Sequence, residues 1–117
     1  MIEDKAKELG RLIGQAPEYK ALKRSNDALG EDKEALELLK QMEQIRTDAQ
    51  QMIQRGERPT QEMEQQLDTM LGKIQQNATY QRLISAQANF DKVMGKVNDW
   101  ILDGIEKGAA SPIITLG

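Results

Sequence analysis

The sequence predicts an all-α protein: an antiparallel bundle of about five helices, with a long C-terminal helix and a helix three–four hairpin. Composition is the first reason. The 117-residue chain is 30% charged and only 3% aromatic, and Glu, Lys, Gln, Leu, Ala and Met dominate, as they do in long helices. Few runs of Val, Ile, Thr or aromatic residues mark strands. The third reason is spacing: apolar residues recur at alternating intervals of three and four along most of the chain.

The first helix is expected from about Ile2 to Ile13, with Ile2, Ala6, Leu9, Leu12 and Ile13 on one side. Gly14-Gln15-Ala16-Pro17 interrupts it, and Pro17 suits the first turn of a new helix better than the interior of an old one. The second helix then spans about Pro17 to Leu29, using Tyr19, Leu22, Ala28 and Leu29. Its polar middle, Lys23 to Asp27, implies shallow burial.

Asp32 is the expected N-cap of the third helix, with Glu34 and Glu37 placed where the helix dipole favours anions. That helix, about Lys33 to Arg55, carries Ala35, Leu38, Met42, Ile45, Ala49 and Met52 in a coiled-coil-like seam. Arg55-Gly56-Glu57-Arg58-Pro59-Thr60 is the clearest loop: Gly56 suits a left-handed C-terminal cap, Pro59 stops the helix, and Thr60 can cap the next. So short a connection turns the fourth helix, about Gln61 to Gln75, back antiparallel, with Met63, Leu67, Met70 and Ile74 as its seam.

With Asn77 or Thr79 as cap, the last helix runs from about Ala78 to Lys107, about 45 Å at 1.5 Å per residue. Three heptad rows merge into its wide stripe: Leu83, Phe90, Val97; Ala86, Val93, Trp100; and Gln87, Met94, Ile101. Other helices must cover such a stripe. Gly108 is expected to end it, giving a single domain over 1–108 and an apolar C-terminal tail over 109–117, extended on a neighbour or disordered. The chain also echoes itself at an offset of 61 residues: Leu9, Ile13, Tyr19, Leu22, Asn26 and Leu29 fall on Met70, Ile74, Tyr80, Leu83, Gln87 and Phe90. A true pseudo-repeat predicts halves related by an approximate two-fold.

Composition excludes several chemistries. The chain has no Cys and no His, which removes disulfides, thiolate–metal sites, zinc hydrolases, Ser-His-Asp triads and Glu-x-x-His di-iron sites. The formal charge of −3 gives no general attraction to nucleic acid or anionic membranes. The start of the chain lacks the apolar core of a signal peptide, and no run approaches the ~20 apolar residues of a membrane span. The protein is expected to be cytoplasmic, with no cofactor, metal or catalytic residue.

The remaining candidates each have a plainer reading. Lys20, Lys23 and Arg24 could touch phosphate, yet three cations in an acidic protein without interleaved aromatics read better as a solvated face. Arg46, Arg55 and Arg58 gather near the helix three–four turn as a candidate docking patch. Glu31, Asp32, Glu34 and Glu37 match no calcium loop and are explained as first-turn anions. Asn77-Ala78-Thr79 fits a glycosylation sequon but reads better as a cap. Met42, Met52, Met63 and Met70 lie on the predicted seams, as core fillers rather than an adaptable groove. Trp100 sits one turn from the end of the wide stripe, where core burial and a self-association surface compete.

The order of elements, with the phrases Ala6 to Ile13, Glu18-Tyr19-Lys20-Ala21-Leu22, Glu31 to Leu39 and the long Tyr80 to Gly108 segment, resembles the YlbF/YmcA family of small helical bacterial proteins, with its YheA-like branch. The resemblance implies an all-helical fold, self-association into dimers or higher, and no enzymatic activity. Some members of that family regulate competence, sporulation and biofilm formation, in a complex that binds an endoribonuclease and affects mRNA processing. Iron–sulfur clusters there are associated with cysteines, so cluster binding does not carry over to this cysteine-free chain. The expectation is therefore a non-catalytic helical adaptor or regulator, self-associating through Val93, Val97, Trp100 and Ile101. The alternative is an RNA-binding accessory protein using Lys20, Lys23 and Arg24.

Overall fold

The computed structural model describes residues 1–110, and all of its regular structure is helical: α1 (Ile2–Gly14), α2 (Pro17–Glu31), α3 (Lys33–Gln54), α4 (Gln61–Gln76) and α5 (Ala78–Ala110). The expected starts hold, and most ends run a residue or two further. The larger difference is at Gly108, which lies inside α5 and does not end it. Among the described residues Gly56 is the only one with a positive φ, 81°, and it provides the left-handed termination expected after α3. Of the tail expected over 109–117, Ala109 and Ala110 are helical; the rest lies outside the described residues.

Local chemistry sets each helix start. Asp32 Oδ1 accepts from the Ala35 N–H at 3.0 Å, Thr60 Oγ1 from the Met63 N–H at 3.1 Å, and Asn77 Oδ1 from the Tyr80 N–H at 2.9 Å. Each side chain satisfies one of the donors that a helix N-terminus leaves open. α2 instead starts with Pro17, whose missing N–H costs nothing there.

The helices make two arms. In one, α2 lies along α5: Tyr19 meets Phe90 with ring centroids 5.7 Å apart and planes tilted by 59°, while Ala28 shares a groove with Ala78 and Thr79. The start of α2 thus faces the middle of α5 and its end faces the start of α5, so the pair is antiparallel. In the other arm the α3–α4 hairpin buries Ala35, Leu38, Met42 and Ile74, with Leu29, Leu39, Leu67, Met70 and Tyr80 packed against them.

The arms join where Asn77 Nδ2 donates to Asp32 Oδ2 at 3.1 Å. One carboxylate therefore caps α3 and holds the residue that caps α5. The molecule is elongated, 66 × 37 × 19 Å, with a radius of gyration of 21.5 Å. A compact chain of this length has about 13 Å.

The residues of the internal echo can be located in the packing. At the 61-residue offset, Tyr19 and Phe90 correspond to Tyr80 and Leu29, and those two pack on one apolar cluster. Ala16, before α2, has φ −69° and ψ 144°; its counterpart Asn77, before α5, has φ −72° and ψ 121°. Thr60, before α4, is extended in the same way at φ −76° and ψ 155°, so this backbone marks a helix start and not a repeat.

Candidate interaction surface

α5 is covered over its first two-thirds and bare over its last third. Ala86 and Val97 are buried, and Leu83, Phe90, Val93 and Met94 are half-buried. From Asn98 to Ala110 every residue is exposed. Of the four residues expected to carry self-association, Val93 and Val97 face the chain's own interior. Trp100 and Ile101 face outward, 67% and 46% exposed. Leu102 and Ile105 lie beside them, also exposed.

α1 is the second uncovered element. It buries no residue, although Ile2, Ala6, Leu9 and Ile13 form a stripe at helical spacing. Ile2 and Leu12 are exposed; Leu9 and Ile13 are half-buried. Sequence reasoning located the α5 end through Trp100 but took α1 for an ordinary bundle helix. The signal that distinguishes it, the absence of a covering partner, exists only in three dimensions.

Lys20, Lys23 and Arg24 are exposed on α2, and among the described residues none forms an ion pair. Arg24 lines an open groove between α2 and α5 with Ser25, Arg82, Ser85 and Asn89; Lys20 and Lys23 stand outside it. Arg55 pairs with Glu57 at 3.5 Å, and Arg46 borders a groove of the hairpin with Ile53 and Met63.

Among the described residues no group of three acidic side chains is placed to hold a metal ion. The Asp32 carboxyl is perturbed. The Ala35 N–H bond and then the Asn77 and Thr79 side chains hold its carboxyl below the usual range. Those causes are caps and a joint, which makes it a structural carboxylate. No helix among the described residues is long and apolar enough to cross a membrane.

Fold and surface together define an elongated all-helical protein with an uncovered apolar helix end. A family profile described as "Control of competence regulator ComK, YlbF/YmcA" matches residues 2–106, and the chain belongs to that family of regulators. Its relatives include a UPF0342 protein of Streptococcus sanguinis, 30% identical over 90% of this chain and 94% of its own. Another, from Halalkalibacterium halodurans, is 28% identical over 95% and 96%. A third, from Bacillus cereus, is 29% identical over 91% and 90%.

Proposed function

We propose that the protein is a non-catalytic, cytoplasmic regulator that works by self-association and by contact with other proteins. One observation carries the reading: the chain exposes far more surface than a folded monomer of its size. Its accessible area is 9229 Å², against about 6,400 Å² for a typical monomer of this mass. A soluble chain rarely leaves large contiguous apolar patches in water, and Trp100, Ile101, Leu102 and Ile105 stand exposed together at the end of α5. An obligate homodimer interface commonly buries area of this order.

Sedimentation velocity on wild type and Trp100→Ala tests the proposal. The wild type is expected to sediment as a dimer or larger. Truncating a central aromatic anchor should weaken association by about 2 kcal/mol or more. A wild-type monomer at all accessible concentrations would overturn the reading.

The second reading, RNA contact through Lys20, Lys23 and Arg24, draws on the absence of ion pairs at these cations among the described residues and on the groove that Arg24 shares with Arg82. It requires RNA binding that weakens steeply with salt and disappears when the three are neutralised. No binding at low salt removes it.

A further inference from the structure

We propose that the groove between α2 and α5 seats an acidic helix of a partner protein, whose carboxylates are held by Arg24 and Arg82. This rests on the protein-contact reading above and names the chemistry of one partner. Charge is the first observation. Arg24 and Arg82 are the charged side chains that line the groove, and among the described residues no carboxylate lines it. Elsewhere on the surface, cations find a carboxylate one turn away: Lys7 pairs with Glu3 at 2.9 Å, and Lys107 with Asp103 at 2.9 Å. Arg82 has no such neighbour. The residues three and four positions from it are Ala78, Thr79, Ser85 and Ala86, and it is the single charged residue from Ala78 to Phe90, in a chain with 19 acidic ones. Arg24 has Asp27 three residues on, yet among the described residues it forms no ion pair. Two guanidiniums thus border one groove without a counter-charge, each with the planar donors that suit a carboxylate.

Shape decides what carries the carboxylates. Among the described residues the groove is lined from α2 and α5 alone, so no third helix of the chain covers it. Its floor is small: Ala21, Ser25 and Ala28 recur at intervals of four and three on α2, and Ala78 and Ser85 stand seven apart on α5. That is the spacing with which one helix receives another, and short side chains let its backbone come close. From Ala78 to Asn89 the groove follows α5 for about 16 Å, room for about three turns of a docked helix. Single-stranded RNA fits less well. Its unpaired bases stack on aromatic side chains, the groove is lined by none, and Tyr19 and Phe90 pack on each other.

Fluorescence anisotropy on the full-length chain at low salt tests this. One labelled probe is a helical peptide of repeated Glu-Ala-Ala-Ala units, the second is its Lys-for-Glu counterpart, and the third is a poly-uridine oligonucleotide. The Glu peptide is expected to bind and the Lys peptide is not. Arg24→Gln combined with Arg82→Gln should weaken binding about tenfold or more. Lys20→Gln combined with Lys23→Gln removes the same charge outside the groove, and should change binding less than about twofold. Ala28→Phe keeps both arginines but fills the floor, and should also abolish binding. Circular dichroism confirms that each variant remains helical.

A Glu peptide that does not bind, or an equal loss from the two double variants, overturns the groove; self-association is then still judged by the wild-type mass alone. Binding of the oligonucleotide in place of the Glu peptide assigns the groove to RNA and overturns the acidic partner. If the double Arg variant has a lower mass than wild type in sedimentation, the occupant is a second copy, which also overturns it.

Discussion

At the scale of single residues, Asp32, Asn77 and Trp100 separate three uses of a side chain. Asp32 joins two helix starts, and its depressed pKa has a stability consequence. Protonation weakens the bonds that the carboxylate accepts from the Ala35 N–H and the Asn77 amide, and the unfolded chain binds that proton more readily than the folded one. The contribution is thus fully present above the ordinary aspartate range near pH 4, and is lost as the pH falls through the lower folded value. Denaturation of wild type and Asp32→Asn between pH 2 and pH 6 should show a smaller pH slope for the variant; equal slopes would contradict the assignment. Asn77→Ala removes the α5 cap and the joint together and should lower stability by about 1–2 kcal/mol in urea titration. Trp100 is the only Trp, so its emission reports one place. If that place is an interface, the spectrum shifts to the blue as protein concentration rises through the dissociation constant, and Trp100 becomes harder to quench.

At the scale of helices, the hairpin is the best-packed element and α1 the least. Ile74 is fully enclosed, and Ile74→Ala should cost about 2–5 kcal/mol through lost contacts and the cavity left behind. Ala6→Ser on α1 should leave monomer stability within about 0.5 kcal/mol, as exposed positions do. Gly56, at φ 81° with open space around it, isolates a backbone effect. Gly56→Ala should cost about 1–2 kcal/mol from left-handed strain alone, read as a shift in the urea midpoint. Seam spacing, caps and the Gly-Pro turn all lie within a few residues of one another, so the five helices and the α3–α4 hairpin were legible from the chain. The joining of Asp32 to Asn77 was not, because each residue is fully explained as a cap until the two helix starts are seen side by side.

At the scale of the whole molecule, the decisive quantities are area and extent. A radius of gyration of 21.5 Å means that the chain's own core is thin, and stability then depends on what else covers it. The thermal midpoint of wild type should therefore rise with protein concentration, as mass action requires for a self-associating chain; a midpoint independent of concentration would mean that the single chain supports itself. The same geometry explains why Val93, Val97, Trp100 and Ile101, adjacent on one stripe, divide into two pairs. α2 reaches Phe90 and its surroundings, α1 turns aside at Ala16, and the stripe continues without cover.

The sequence by itself determined the all-α class, the helix starts, the hairpin turn and the position of the long apolar stripe, because these follow from local backbone preferences and a 3.6-residue period. The tertiary structure alone decided how far that stripe is covered. Coverage depends on how far α2 reaches along α5 and on the direction the chain takes between α1 and α2 at Gln15 and Ala16. A change of direction there is carried along helices many ångströms long, and it leaves the end of α5 exposed.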